Sequence, residues 1–322
     1  MTPKNGLRKR FYGFTPVRGL IRQSKNVAVP GADDFSVYEV WKGFLRQLKR
    51  TSLVERAAAI SFNIFMAIPP VILFVFTLIP YLPISRQFVE EIFGLIRDIV
   101  PGEKNNSVII GFLTDFLQKP RGELLSFGLL LALFFSSNAM MGILRSFDKD
   151  YEGFIKRSGL RKRRTAIKLT IIVFSTVFAC ILLLIAQRNV LQYIGIENHF
   201  IRNVISEARW VVILFLVFLS VSFIYRYGPA MTEKWHFINP GAVFATSLMI
   251  LATALVTFWV NNFNNYNKIY GSISAVFILM SLIFVNSLVV LIGFELNVTI
   301  SHLRAAEEAE ERALVTSGSQ PV

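Results

Sequence analysis

The residues that most often carry chemistry are sparse and scattered in this chain. Its three histidines, His199, His236 and His302, lie far apart in sequence, and its single cysteine, Cys180, lies in an apolar run. No CxxC, HExxH, Walker A or GxSxG spacing occurs. We therefore predict no catalytic residue, no metal site and no cofactor, and we expect that the protein is not an enzyme.

Polar residues inside long apolar segments are the stronger candidates for function, because a polar group in lipid must find a partner. Their chemistry would be hydrogen bonding or ion binding during transport. Each also has a structural alternative, as part of a kink, a helix contact or an interface anchor. The candidates are Ser61, Asn63, Pro69, Pro70, Asn138, Arg145, Asn286, Gly293, Glu295 and Asn297.

Pro69 and Pro70 are adjacent within the first apolar segment. Proline removes a backbone donor and clashes with the preceding turn, so we predict that this helix bends or breaks between Phe65 and Pro70. The carbonyls freed near Phe65 and Met66 would then be open to an ion or a headgroup. The alternative is a plain kink held by neighbouring Ser or Asn side chains.

The last apolar segment carries polar residues on two faces. Asn286, Gly293 and Asn297 share one face, and Glu295 points about 180° away. We predict that this helix is central in a helical bundle. Glu295 is either a functional carboxylate or an anchor at the inner interface, paired with Lys or Arg between the second and third segments.

The end of the second apolar segment carries a further polar group. Asn138 and Arg145 are seven residues apart on one helical face, and Asp148 follows. At a spacing of three residues, Arg145 and Asp148 are predicted to pair. The alternative is a topology anchor with a surface ion pair.

The elements that must position these residues are membrane-spanning helices. Hydrophobic residues make up 53% of the chain and charged residues 17%, whereas soluble domains carry about 25% charged residues. A helix needs about 20 apolar residues to cross a bilayer. Six segments reach that length, at about 57–83, 124–144, 166–186, 210–227, 241–260 and 273–296. The predicted fold is an all-α membrane protein with a transmembrane domain over 57–303.

The positive charges predict the orientation. Of the 34 Lys and Arg residues, 25 fall on the side that holds both termini and 9 on the other. Cytoplasmic loops carry the excess of Lys and Arg, so both termini are predicted inside. Topology and anionic lipid headgroups account for the net charge of +13. We therefore expect membrane lipids as partners and no nucleic acid; oligomers or envelope protein partners stay open.

The segments outside the spans also have recognisable patterns. Residues 1–35 are basic and predicted to be a disordered tail. Residues 36–56 predict an amphipathic interfacial helix that opens with a capping box of Ser36 and Glu39. Two amphipathic stretches between 84 and 123 predict an external helical cap. Residues 304–322 are predicted to be a polar cytoplasmic tail.

Two of the spans carry recognisable sequence patterns. The first has an Ala-rich start, the triplet Ile60-Ser61-Phe62 and Pro70. The last has Tyr270-Gly271, Ala275 and Gly293-Phe294-Glu295. Together with Pro229 and Gly241-Ala242, these patterns resemble the YihY/BrkB family of bacterial inner-membrane proteins, once labelled ribonuclease BN. The resemblance implies six helices with both termini inside, and a multi-pass protein of the bacterial inner membrane.

Three functions remain open at this point. The first is a transporter or flippase-like protein for lipid or amphipathic solutes. The second is a non-catalytic scaffold for envelope integrity, in which every polar residue is structural. The third is an enzyme, which the residues disfavour, because RNA hydrolysis needs clustered carboxylates with metal or a histidine pair.

Overall fold

The computed structural model describes residues 28–29, 32–81, 110–111, 114, 122–148, 154–155, 157–193, 199–262 and 273–318. Within these ranges the protein is almost entirely helical. The helices are α1 (Val37–Arg50), α2 (Leu53–Leu78), α3 (Gly122–Phe147), α4 (Gly159–Tyr193), α5 (His199–Tyr227), α6 (Pro240–Asn262) and α7 (Ile273–Gly318). Ile79–Tyr81 adds a 3-10 turn, and the strands β1 (Ala28–Val29) and β2 (Ala32–Ser36) pair antiparallel.

The two strands correct the prediction of a disordered tail over residues 1–35. Residues 28–29 and 32–36 form the strand pair, and residues 1–27 lie outside the described residues. The strand ends at Ser36, whose hydroxyl accepts from the Glu39 amide, while the Glu39 carboxylate accepts from the Ser36 amide. The predicted capping box at the start of α1 is therefore confirmed.

The amphipathic helix α1 buries its apolar face against protein. Phe35 and Val40 pack with Ile300 of α7, and the Phe44 ring meets the Phe244 ring of α6 edge-on. Trp41, flanked by the exposed Lys42, stays half exposed on the outer face. The helix is therefore anchored to the bundle, and only its outer face is left to contact a membrane surface.

Five helices are long and apolar enough to cross a membrane, judged over the described residues. The protein is therefore a membrane protein with several transmembrane helices. The third predicted span, 166–186, lies within the continuous helix α4, but α4 is not among the five, and the side chains of residues 183–193 lie outside the described part. Six spans remain a prediction.

Two predicted regions outside the spans have different outcomes. The predicted external cap falls almost entirely on residues 82–121, of which only 110–111 and 114 are described. The predicted tail 304–322 is instead helical up to Gly318, because α7 continues without a break beyond its apolar part. Its Ala- and Glu-rich composition favours a helix, and its described side chains are mostly exposed.

Helix α2 runs without interruption through Pro69 and Pro70. The predicted break between Phe65 and Pro70 is therefore wrong, and a bend at the prolines stays a prediction. The helix is closely packed beyond the prolines. The backbone of Phe74 approaches the position a Cβ on Gly128 of α3 would occupy to within 3.3 Å. The predicted mid-membrane site near Met66 then rests on the bend alone.

The six long helices form a ring in chain order. α2 packs on α3, α3 on α4, α4 on α5, α5 on α6 and α6 on α7, and α7 packs back on α2. α7 also packs on α1 and touches α3, so it contacts helices beyond its two neighbours in the ring. The closest approach joins α6 and α7, where a Cβ on Gly241 would lie 2.3 Å from the Gly293 carbonyl oxygen.

The hydrophobic core lies toward one end of this ring. We call it the closed end: the end at which α2, α4 and α6 begin and α3 and α5 terminate. Its fully buried members include Ala57, Ile60, Leu144, Phe147, Ala166, Leu169, Tyr225, Ala242, Phe294 and Val298. The members on α2 to α6 lie within about ten residues of that end, and Phe294 and Val298 join them from the middle of α7. The opposite end is called the open end below.

Candidate functional site

Three aromatic side chains fill the interior at the closed end. Phe147 of α3 stacks on Phe294 of α7, with ring centroids 4.0 Å apart and planes 12° from parallel. Tyr225 of α5 lies edge-on to Phe147 at 5.9 Å, and its hydroxyl donates to the Val290 carbonyl at 2.7 Å. All three are fully buried. We call Phe147, Tyr225 and Phe294 the aromatic plug.

Glu295 is fully buried beside the plug. The Gln47 amide of α1 donates to its carboxylate at 3.0 Å, and the Arg56 guanidinium of α2 lies 4.0 Å from it. Arg56 also donates to the Ser146 carbonyl near the end of α3, at 3.3 Å. These partners come from α1 and the start of α2, and the predicted pairing with Lys or Arg between the second and third spans stays a prediction. The contacts of Glu295 join α1, α2 and α7.

The opposite face of α7 makes a second polar contact. Asn297 accepts from the Gly241 amide at 2.7 Å and donates to the Asn239 side chain at 2.6 Å. Asn239 in turn accepts from the Ala242 amide at 2.8 Å. These bonds satisfy the donors at the start of α6, which no intrahelical carbonyl can reach. Glu295 and Asn297 therefore contact different helices, as the helical spacing predicts.

Arg157, in the segment before α4, caps the end of α5. Its guanidinium donates to the carbonyls of Gly228 and Pro229, both at 2.9 Å. The Ile155 amide donates to the Ala230 carbonyl at 2.7 Å. Burial lowers the pKa of Arg157, and the charge of Asp148 opposes that shift. A cation at a helix C-terminus is favourable, and here it ties the α3–α4 connection to α5.

Toward the open end, several apolar side chains of the same helices are exposed. Leu130 of α3 is 66% exposed, Val211 of α5 is 70% exposed and Phe277 of α7 is 51% exposed. On α5, spacings of three and four residues place Leu214 and Val211 near the face of Tyr225.

The described apolar side chains that are exposed toward the open end include Leu130, Val211, Leu214, Phe277 and Met280. Apolar surface of this kind suits hydrocarbon chains better than water-soluble solutes.

The sequence matches the family model described as Virulence factor BrkB over residues 44–316. The chain belongs to this family. Its BrkB-family relatives include the ribonuclease-like protein YfkH of Bacillus subtilis, 30% identical over 262 residues, which cover 79% of this chain and 94% of YfkH. The resemblance noted in the sequence is thereby confirmed.

Other relatives of the BrkB-family chain are described only as membrane proteins. A UPF0761 membrane protein of Stenotrophomonas maltophilia is 22% identical, over 82% of this chain and 60% of its own length. One from Xanthomonas axonopodis pv. citri is 24% identical, over 84% of this chain and 62% of its own length. This chain thus spans about three fifths of these relatives. No solved structure matches it.

The family-like triplet Gly293-Phe294-Glu295 has three separate contacts in this BrkB-family protein. Gly293 permits the close approach of α6, since a Cβ there would lie 2.7 Å from the Gly241 carbonyl. Phe294 belongs to the aromatic plug, and Glu295 joins α1 and α2. Pro229 accepts from Arg157. Tyr270 and Gly271 lie outside the described residues.

Several other candidates bond to their own helices. Ser61 donates to the Ala57 carbonyl, Asn63 to Ala59 at 2.8 Å and Asn286 to Leu282 at 2.9 Å. A donor satisfied by the carbonyl four residues earlier makes no demand on a ligand. These contacts favour the structural alternative for Ser61, Asn63 and Asn286. Among the described residues, no three His, Cys, Asp or Glu side chains are grouped as a metal site.

The polar residues at the end of α3 pair with α4. The Arg163 guanidinium donates to Asn138 at 2.5 Å and lies 5.3 Å above the Phe134 ring. Asp148 pairs with Lys162 rather than with Arg145, which is exposed. The predicted Arg145–Asp148 pair is therefore wrong, because the start of α4 brings a closer cation.

Sequence reasoning missed four buried polar atoms that have no hydrogen-bond partner within the described part of the protein. They are Ser222 Oγ, Arg226 Nε, Thr246 Oγ1 and Ser287 Oγ. Leaving such a group unpaired costs about 1–3 kcal/mol, so native proteins contain few. Single hydroxyls in apolar helices are common, and no sequence signal distinguishes these from Ser61.

Proposed function

We propose that this BrkB-family protein carries a lipid or a similar amphipathic solute across the membrane, as a transporter or flippase-like protein. The observation that supports the proposal is the contrast between the closed end, filled by the aromatic plug, and the apolar side chains exposed toward the open end, which suit acyl chains. From it we infer a funnel whose mouth is at the open end and whose narrow end stops at the plug. A polar headgroup would follow the interior of the ring while the chains stay among apolar side chains. Movement past the plug then requires Phe147 and Phe294 to separate.

We further propose that the closed end faces the cytoplasm of a bacterial inner membrane, with both termini inside. The excess of Lys and Arg on that side supports this orientation. Exposed Lys42 and Arg46 beside Trp41 on α1 fit anionic headgroups. The funnel would then open toward the outer leaflet, and Glu295 would belong to the inner gate.

A non-catalytic envelope scaffold is the second candidate function. It is favoured by the extension of α7 beyond the bundle up to Gly318, which presents exposed glutamates and the exposed Leu314. The local bonds of Ser61, Asn63 and Asn286 agree with it as well. Under this proposal the funnel holds bilayer lipid without moving it.

We also propose that the protein is not an enzyme. The name of YfkH describes that relative as ribonuclease-like, and it carries over to this chain only as a hypothesis to test. The described polar groups near the plug pair with one another in joining helices, and none forms a nucleophile and base pair.

A lipid scrambling assay tests the transport proposal. The full chain is reconstituted in liposomes that contain a headgroup-labelled fluorescent lipid, and dithionite quenching reports the labelled lipid that reaches the outer leaflet. Leu214→Trp, in the funnel mouth, should slow the exchange at least several-fold. Leu251→Trp is the matched control, because Leu251 is similarly exposed but lies on the outer face of α6.

Transport by the wild type and by Leu251→Trp, with loss in Leu214→Trp, supports the transporter. If wild-type liposomes exchange lipid no faster than empty liposomes, with and without a proton or sodium gradient, the scaffold becomes the better explanation. Equal rates of lipid exchange in both tryptophan variants would show that the lipid does not pass through the funnel.

A further inference from the structure

Three of the four unpaired polar atoms lie along the contact between α5 and α6. Ser222 and Arg226 are four residues apart and share one face of α5. Arg226 donates to the Trp235 carbonyl at 3.0 Å, and its guanidinium lies 4.2 Å from the centre of the Phe237 ring. Trp235 and Phe237 belong to the segment that leads into α6. The face of α5 that holds Ser222 and Arg226 is therefore turned toward α6.

Thr246 approaches the same contact from α6. Gly241 and Ala245 face α7 at the Gly293 approach, while Val243 and Ser247 are exposed on the outer side. Thr246 is buried, 5% exposed, and is one residue on from the α7-facing Ala245. The remaining neighbour of α6 in the ring is α5, so Thr246 faces α5.

The depths of the hydroxyls agree. Ser222 lies five residues before the end of α5, and Thr246 lies six residues after the start of α6. At 1.5 Å per residue, both are about 8–9 Å from the closed end. Arg226 lies one turn nearer that end. The two hydroxyls therefore lie at a similar depth in their helices, and Arg226 lies between Ser222 and the closed end.

We propose that this contact between α5 and α6 binds a phosphate group, with Ser222, Thr246 and the Arg226 Nε–H as its donors. Hydroxyls and guanidinium N–H groups are the donors that phosphoryl oxygens prefer. None of the ion pairs among the described residues uses Arg226, so its positive charge is available to an anion. The site deepens the transport proposal, on which its role in transport rests, although binding itself does not depend on it.

The surroundings favour a phospholipid as the source of that phosphate. Ile238, between Phe237 and Asn239, is 74% exposed, and Phe237 is also exposed. The Lys234 ammonium lies 5.0 Å from the centre of the Tyr227 ring nearby. Exposed apolar side chains beside Lys and Arg are typical of the boundary between headgroups and acyl chains. A lipid at this boundary would place its phosphate at Arg226 and its chains along the outside of α5 and α6.

Binding to the purified full chain tests the site. The protein is stripped of lipid in detergent, and its affinity is measured for dioleoylphosphatidylglycerol, for dioleoylglycerol with the same chains and no phosphate, and for inorganic phosphate. The test variant is Ser222→Ala with Thr246→Val, which removes two donors at little change in volume. The control is Ser220→Ala with Thr176→Val, because those hydroxyls already bond to the Leu216 and Ile172 carbonyls of their own helices.

We expect phosphatidylglycerol to bind the wild type and the control alike, and to bind the test variant roughly tenfold or more weakly, as expected for the loss of hydrogen bonds to a charged group. The test variant should fold without ligand at least as stably as the wild type, because it removes unpaired hydroxyls. If it does not fold, Ser222→Ala alone is measured against Ser220→Ala.

Equal affinity of the test variant and the control for phosphatidylglycerol would overturn the site. Equal affinity of dioleoylglycerol and phosphatidylglycerol would overturn phosphate recognition. Inorganic phosphate that binds as tightly as the lipid, and competes with it, would overturn the lipid as the source. Failure of lipid exchange in liposomes with binding intact would count against transport alone, so the two failures are distinguishable.

Discussion

Replacing Glu295 probes the closed end most directly. The Glu295 side chain is 1% exposed, whereas the Arg56 side chain is 33% exposed. Removing one partner of a fully buried ion pair costs about 3–5 kcal/mol. Water reaches Arg56, so the pair is partly screened, and we expect Glu295→Leu to lower the free energy of unfolding by about 2–3 kcal/mol. Glu295→Gln keeps an acceptor for Gln47 and should cost about 1 kcal/mol.

The assay is thermal or denaturant unfolding of the purified protein in lipid nanodiscs. Glu308→Gln is the matched control, since Glu308 is an exposed glutamate on the same helix, and it should change stability by less than about 0.5 kcal/mol. Arg56→Leu in the Glu295→Leu background should restore part of the loss, because it removes the uncompensated charge. Additive losses in the double variant would show that the two side chains do not stabilise each other.

The remaining predictions concern packing, capping, topology and activity. Gly241→Ala should destabilise the protein by about 3 kcal/mol or prevent its expression, since its Cβ would clash with the α7 backbone; Gly159→Ala, which has open space, should be silent in the same expression and unfolding measurements. Asn297→Ala should cost about 1–3 kcal/mol on unfolding, because it leaves the buried Gly241 amide without its acceptor and removes one hydrogen bond to Asn239; a loss below about 0.5 kcal/mol would contradict this capping role. Reporter fusions after residues 158 and 236 should read cytoplasmic and one after 104 periplasmic, and the reverse at 158 would refute the charge assignment. Nuclease-free protein should cleave tRNA no faster than a variant with Asp148→Ala and Glu295→Ala, and cleavage that those changes abolish would revive the ribonuclease hypothesis.

The sequence was sufficient for the helices and insufficient for the contacts between them. Apolar length placed five of the spans, and helical spacing separated the faces of Glu295 and Asn297. The partners Gln47 and Arg56 come from segments about 250 residues away, and no local pattern carries that information. Pro69 and Pro70 misled the prediction because the effect of proline on a helix depends on neighbours such as Gly128, which hold the next turn in place.

The structural and the functional interpretation of the polar residues can now be assigned according to where each residue lies. Side chains bonded to their own helix, such as Ser61 and Asn286, have a donor satisfied there, which favours the structural alternative for them. Glu295 and Asn297 join elements at the closed end. If the plug opens and α1 or α6 moves relative to α7, the hydrogen bonds of Glu295 or Asn297 must break. Ser222 and Thr246 have no partner among the described residues, and a protein that leaves donors unpaired in its core loses stability unless another state or a ligand uses them. The proposed role in transport therefore points first to the contact between α5 and α6 and to the plug beside it.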